Sequence, residues 1–352
     1  MTYVNMTSNE EIFRGHSIFW GYGLIMFLIL LFGFFGNLFT IIVLRHQEHR
    51  KKSITPLMVN LAVADLMIVV LGYPPVINTN ISGQMMRAGG IVCIYSGFIN
   101  GMTGITSIGT LTAMSGVVYQ TIKRNNPNYS VSRRKNIVLI AGTWLYGIVA
   151  LLPPSVGWNR FVPGKAGVSC APDWTTQDLV STLYIVLLVT GGFLIPFILI
   201  TTFLTKTLRL LKRFPVPFDP FILAQRRRYQ QRTLLMITAT MGAFLLSWSP
   251  YCIVSFAATI KGHHILTPGE AEIPELMAKA SVVYNPIIYM IMNERFRRTL
   301  RRTITGNKTP IVAPDQATDH NFIVSMPRNI GRENNLNITT TAEISTYLNV
   351  NS

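Results

Sequence analysis

Residues 273–292 read IPELMAKASVVYNPIIYMIM, an apolar run long enough to cross a bilayer as a helix, interrupted by Lys279. A cation deep in such a segment costs about 2.5–3.5 kcal/mol on insertion scales, so an intramembrane lysine points to a function. A lysine snorkelling to the interface needs a helix end within reach. Lys279 lies about two turns inside the run. Six residues later comes Asn285-Pro286-Ile287-Ile288-Tyr289.

The rest of the chain agrees with a membrane setting. Of its 352 residues 49% are hydrophobic and only 13% charged, and the mean hydropathy is +0.36. That is too apolar for an ordinary soluble domain of this size. A net charge of +16 raises nucleic acid as a partner, but the basic residues line no single surface and no nucleic-acid partner is expected. They cluster between apolar runs, the pattern of positive-inside topology.

Seven apolar segments lie near 18–44, 56–77, 90–119, 137–157, 180–204, 233–260 and 273–292. Basic residues concentrate in His46 to Lys52, Lys123 to Lys135, Lys206 to Arg232 and Arg295 to Arg302. These connections alternate with basic-poor ones, which puts the N-terminus outside and the C-terminus inside. The expected fold is an all-α membrane protein, a seven-transmembrane helix bundle over 18–292 with an extracellular N-terminus over 1–17. Residues 293–304 follow as a short amphipathic cytoplasmic eighth helix, because Phe296, Leu300 and Ile304 form one stripe among five arginines. Such a helix suits the anionic inner leaflet. Residues 305–352 read as a disordered cytoplasmic tail with Thr339, Thr340, Thr341, Ser345 and Thr346 as phosphorylation candidates.

Cys93 and Cys170 both fall on the outer face of this topology, an oxidising compartment, and their disulfide is the natural pairing. Cys252 reads as a small packing residue. Asn5 and Asn80 head outer glycosylation sequons, whereas the sequons at Asn128, Asn307 and Asn337 fall inside. His263-His264 reads as a solvated turn and no metal site is expected. There is no motif of a hydrolase, kinase or metalloenzyme, so no enzyme is expected.

These residues together resemble a class A G-protein-coupled receptor, and within that class an animal opsin, over about residues 18–304. The resemblance rests on Gly36-Asn37, Leu61-Ala62-Val63-Ala64-Asp65, Trp144, Pro196, Ser247-Trp248-Ser249-Pro250-Tyr251 and Asn285-Pro286-Ile287-Ile288-Tyr289. Met292-Asn293 and Phe296-Arg297 continue it. Most of these occur across the receptor class. Lys279, six residues before Asn285, is the opsin-specific element, supported by Gly157-Trp158 and by Ser169-Cys170-Ala171-Pro172-Asp173-Trp174.

The resemblance implies a light-sensing receptor of the plasma membrane. Lys279 would carry retinal, 11-cis or all-trans, as a Schiff base, a bond that requires a primary amine and excludes arginine. It implies Gly104, Phe244, Trp248, Tyr251 and Ala278 around the chromophore, although ordinary helix packing is the competing reading for each. It implies Asp65, Tyr119, Pro250, Asn285, Pro286 and Tyr289 as activation motifs, and a heterotrimeric G protein and arrestin as partners.

The chain also departs from that pattern. Where the third helix of the family ends in an acidic residue, an arginine and an aromatic, this chain has Val117-Val118-Tyr119. The fifth-helix tyrosine is Leu204 and the acidic residue of the sixth helix is Gln230. Coupling is therefore expected to be weak, and a retinal photoisomerase is the alternative. A receptor for a diffusible ligand that happens to carry Lys279 is the third reading. The usual counterion positions hold Ser96 and Gly164, neither acidic. Glu275 is the candidate counterion, because residues i and i+4 share a helix face and side chains lean toward the helix N-terminus. The competing reading has Glu275 favouring the positive end of the helix dipole. Glu272 is a further turn away.

Overall fold

A computed structural model describes residues 8–50, 52–82, 85–124, 130–165, 167, 169–213 and 220–306. Helix α1 (Ser8–Arg45) leads through the short α2 (Gln47–Arg50) to a second crossing. This is built from α3 (Thr55–Met67), a π-helical turn (Ile68–Gly72) and α4 (Tyr73–Ser82). Helices α5 (Ile91–Lys123) and α6 (Arg133–Leu151) are the third and fourth crossings. The antiparallel pair β1 (Phe161–Pro163) and β2 (Cys170–Pro172) follows, with Val162 opposite Ala171. The fifth crossing is α7 (Leu179–Val189), a π turn (Thr190–Leu194) and α8 (Ile195–Arg213). Helices α9 (Pro220–Lys261) and α10 (Pro268–Met292) complete the seven, and α11 (Glu294–Thr305) runs on from α10.

Both π turns sit immediately ahead of prolines. Pro74 and Pro75, like Pro196, have no N–H to bond a carbonyl one turn back. The helix widens before them, so that Tyr73 N–H bonds Ile68 O and Ile195 N–H bonds Thr190 O. Each backbone group ahead of the proline then finds a partner inside the membrane.

Five spans are long and apolar enough to cross a membrane on length and composition: Gly21–Arg45, Thr55–Thr79, Ile91–Lys123, Leu179–Lys212 and Gln231–Lys261. The other two crossings carry charge. α6 opens on Arg133-Arg134-Lys135, and α10 holds Glu270, Glu272, Glu275 and Lys279. The first helix begins at Ser8, before the expected 18, though its apolar span starts at Gly21. The fourth ends at Leu151, short of the expected 157, because Pro153-Pro154 turn the chain through a 3₁₀ turn. The sixth extends down to Pro220, beyond the apolar run that begins near 233. Asn5, Asn307, Asn337 and the tail hydroxyls lie outside the described residues.

Large apolar side chains such as Leu24, Phe32, Leu145, Leu183, Ile198, Leu246 and Ile291 point outward, which suits lipid rather than water. Inside, two apolar clusters divide the bundle. One, toward the end that meets α11, gathers Leu57, Leu61, Met114, Val117, Val118, Ile237, Met241 and Tyr289. The other gathers Tyr22, Val69, Tyr73, Cys93, Phe161, Cys170 and Val282.

Hydrogen bonds cross between helices. Asn60 donates to Thr110 Oγ1 (2.9 Å) and accepts from Trp144 Nε1 (2.9 Å), tying the second, third and fourth crossings. Asn37 donates to Val282 O (2.9 Å), and Asn285 donates to Asp65 Oδ2 (2.8 Å). Gly36 lets the first and seventh crossings touch, since a Cβ there would lie 2.7 Å from Pro286 Cγ.

Candidate functional site

α10 starts with a capping box: Thr267 N–H donates to Glu270 Oε2 at 2.9 Å while the Thr267 side chain caps the first turn. From that anchored end, Glu275 and Lys279 fall one turn apart on one face. Lys279 Nζ lies 2.8 Å from Glu275 Oε1, with side chains only 11% and 16% exposed.

The same carboxylate oxygen accepts from Tyr22 OH of α1 at 2.8 Å and from Ser169 Oγ of the segment preceding β2. Tyr73 OH of α4 donates to the Lys279 carbonyl at 2.8 Å. Three further segments of chain thus fix the ion pair. A pair held in low dielectric needs such additional donors to offset desolvation.

Lys279 and Glu275 face a cavity of about 200 Å³. Its wall includes Gly104 of α5, Phe244, Trp248 and Tyr251 of α9, and Ala278 of α10, all five of the residues singled out from the sequence. The aromatic groups hold one another. The Phe244 and Trp248 rings stack at 5.6 Å between centroids, Tyr251 stands edge-on to Trp248 at 6.1 Å, and Trp174 Nε1 donates to Tyr251 OH at 3.2 Å. Trp248 Nε1 donates to Ser281 Oγ at 3.2 Å, fixing its tilt. A Cβ at Gly104 would lie 2.9 Å from Trp248 Cη2, so the absent side chain is what lets the indole seat against α5.

One side of the cavity is closed by the β1–β2 hairpin. Cys93 and Cys170 form a disulfide that pins β2 to the start of α5. Phe161 is buried against Gly97. Ser96 is buried and donates to the Cys93 carbonyl at 3.3 Å, so it takes no part in the ion pair. A Cβ at Gly164 would lie 3.9 Å from Glu275 Oε2. Glu275 therefore brings its carboxylate beside a position where the sequence lacks one. Cys252 is a free thiol in the cavity wall.

The end of the bundle that meets α11 looks different. Val118 is buried among Val117, Ile122, Ile200, Ile237 and Met241, with Leu204 packed against them. Tyr119 lies 5.9 Å from the Phe203 ring and Lys123 Nζ lies over Tyr119. Tyr289 OH is buried and has no hydrogen-bond partner among the described residues. Asn80 belongs to α4, but its side chain, like that of Gln230, lies outside the described residues.

Sequence reasoning found the lysine, the glutamate and the aromatic wall. It missed the donors Tyr22 and Tyr73. A tyrosine on a transmembrane helix carries no periodic signal of its partner two hundred residues away, and nothing in the sequence distinguished these two. Ser169 stood in a quoted motif without a role.

The family described as 7 transmembrane receptor (rhodopsin family) matches residues 36–289. A protein named "Rhodopsin, GQ-coupled" from Mizuhopecten yessoensis is 28% identical over 339 residues, covering 93% of this chain and 68% of that protein. A "Rhodopsin" from Lethenteron camtschaticum is 26% identical over 81% of each chain. Among solved structures, "Crystal structure of squid rhodopsin" superposes with a TM-score of 0.74 at 22% identity, covering 89% of this chain and 93% of the other.

Proposed function

The chain belongs to the rhodopsin family of seven-transmembrane receptors, with animal opsins as its relatives, and from that premise we propose that it is a light-sensing receptor carrying retinal on Lys279. One observation carries this reading: a primary amine, paired with a carboxylate at 2.8 Å, opens into a mostly apolar, aromatic-walled cavity. Retinal would supply an aldehyde for that amine and a polyene that isomerises in light. Its fit is favoured by the Gly104–Trp248 seat and by the aromatic wall facing the Lys279 amine.

The chain's own residues then have defined tasks. Glu275 sets its carboxylate against the Lys279 nitrogen and balances a positive charge held there. Tyr22 and Ser169 orient Glu275 and satisfy its oxygen. Phe244, Trp248 and Tyr251 wall off water and give a bound ligand a surface to push against. Trp248 and Pro250 on α9 link that wall to the helix that continues toward the cytoplasm. The plasma membrane, with N-terminus outside, is the setting that the charge distribution favours.

Adding 11-cis-retinal to the expressed protein in the dark, recording a spectrum and reducing with borohydride tests this. A visible band and a reduced adduct on the Lys279 peptide are expected. Absence of any adduct, with the fold intact, would overturn the reading and favour a receptor for a diffusible ligand.

A second reading is favoured by the cytoplasmic end. Val118 and Leu204 replace two polar members of the family's activation switch with apolar packing. A retinal photoisomerase, or an opsin coupling weakly to G proteins, fits that replacement. Arrestin binding would depend on the tail, where the hydroxyl candidates lie. Light-dependent nucleotide exchange separates these from an efficiently coupling receptor.

A further inference from the structure

Glu272, Glu275 and Lys279 follow one another at three- and four-residue spacing on α10, so they stack along one helix face. All three line the cavity. Their circumstances differ. Glu275 has Lys279, Tyr22 and Ser169 as partners. Glu272 is only 6% exposed, yet its Oε1 has no hydrogen-bond partner and it makes no ion pair among the described residues.

The charges therefore do not balance if both carboxyls ionise. One ammonium faces two acids, and Glu275 already takes it. The other titratable groups around the cavity do not alter the sum. Lys165 and His264 also line it, but both are exposed at its outer mouth. Partial burial and the Lys165 ammonium hold the His264 imidazole below its ordinary value, leaving it neutral. Tyr22 from α1 is spent on Glu275, and Tyr251 from α9 is bonded by Trp174. An anionic carboxylate with a buried, unpartnered oxygen beside a second carboxylate is a costly arrangement, whereas a neutral acid is not.

We propose that Glu272 keeps its proton while Glu275 is ionised, and that it serves as a proton station between the outer mouth of the cavity and the Lys279 nitrogen. The step balances as an exchange. A proton passes from the Glu272 O–H, through a water molecule in the cavity, to a Glu275 oxygen and on to Lys279 Nζ, one turn further in. The proton that nitrogen held returns by the same groups to water at the mouth, so that Glu272 and Lys279 end protonated and Glu275 ionised. Glu272 acts through Glu275 and is a positioning residue for the proton, not a ligand contact.

The role of the station at Lys279 rests on the reading of Lys279 as the ligand-bearing amine, but the protonation of Glu272 does not. Infrared spectroscopy of the ligand-free protein in membranes, in water and in heavy water, tests the latter. A carboxylic-acid carbonyl band is expected that vanishes in Glu272→Gln and moves in Glu272→Asp, with Asp65→Asn and Asp173→Asn used to assign any band from the other buried carboxyls. A band untouched by both Glu272 variants would overturn the proposal, as would one lost only in Glu275→Gln. With retinal added, deuterium exchange at the Lys279 nitrogen, followed by Raman scattering, should slow about tenfold in Glu272→Gln. Unchanged exchange alongside a lost infrared band would overturn the station role. Failure to bind retinal at all would instead strike the functional reading, leaving the infrared result intact.

Discussion

The two ends of the bundle fill their interiors with different side chains. Around Lys279 an ammonium, a carboxylate and two hydroxyls contributed by α1, α10 and the segment before β2 are bonded to one another, with the Glu272 carboxyl buried on the same helix. Toward α11, Val118 and Leu204, at positions where the sequence resemblance implies polar residues, pack into an apolar cluster. Buried polar groups persist where something is bound or moved, because they are costly elsewhere. On the reading of Lys279 as the ligand-bearing amine, the contrast sets a polar ligand site at one end of the bundle against an apolar interior at the other.

Four variants break or sharpen that contrast. Lys279→Ala should have the largest effect: no pigment forms with retinal, seen as the absence of both a visible band and a borohydride-stable adduct. Replacing Lys279 also strands Glu275, which is mostly buried. Breaking a buried pair costs about 3–5 kcal/mol. The thermal midpoint of the ligand-free protein should therefore fall in Lys279→Ala and recover in the double variant Lys279→Ala with Glu275→Gln. If the double variant were no more stable than the single, the pair would not be desolvated as the geometry indicates.

Gly104→Leu comes next. Its side chain would enter the Trp248 seat, where even a Cβ stands 2.9 Å from the indole. Overpacking of this kind costs about 1–3 kcal/mol, and both the thermal midpoint and retinal uptake should drop.

At the other end, Val118→Arg with Leu204→Tyr should raise light-driven nucleotide exchange several-fold above a weak starting level. Strong exchange by the unmodified protein would remove the contrast altogether.

The smallest effect concerns pH at the cytoplasmic edge. His49 is buried, with Nε2 3.2 Å from Thr299 Oγ1 of α11. Burial first, then the Lys52, His46 and Arg295 charges, pushes its imidazole down to about 4. The unfolded chain protonates near the ordinary histidine value of about 6.5, so between about 6.5 and 4 the unfolded state binds more protons. Stability contributed here is complete above that window and falls as pH drops through it. Protection of the α11 amides, with exchange corrected for its intrinsic slowing in acid, should fall from pH 7 to pH 5, and less so in His49→Gln.

Much of this was legible in the chain itself, for reasons that differ by region. Seven apolar runs and alternating basic clusters are one-dimensional signals, and the helices follow them. Lys279 and Glu275 were legible because both lie on one helix, where a four-residue spacing fixes adjacency. The ends were less so. Pro153-Pro154 stop the fourth helix before its apolar run gives out, while the first and sixth continue past theirs. Tyr22, Tyr73 and the buried state of Glu272 were not legible, since they depend on how separate helices face one another. The π turns ahead of Pro74 and Pro196 also escaped, because a proline announces a missing donor but not how the backbone will absorb it.

The account turns on the Lys279–Glu275 pair, and the dark absorption spectrum of Glu275→Gln reconstituted with 11-cis-retinal tests it most directly. The linkage nitrogen should lose its proton at neutral pH without the carboxylate, moving the band from the visible to the ultraviolet, with acid restoring it. An unchanged visible band in Glu275→Gln would place the balancing charge elsewhere and contradict the account, as would an unmodified pigment that already absorbs in the ultraviolet.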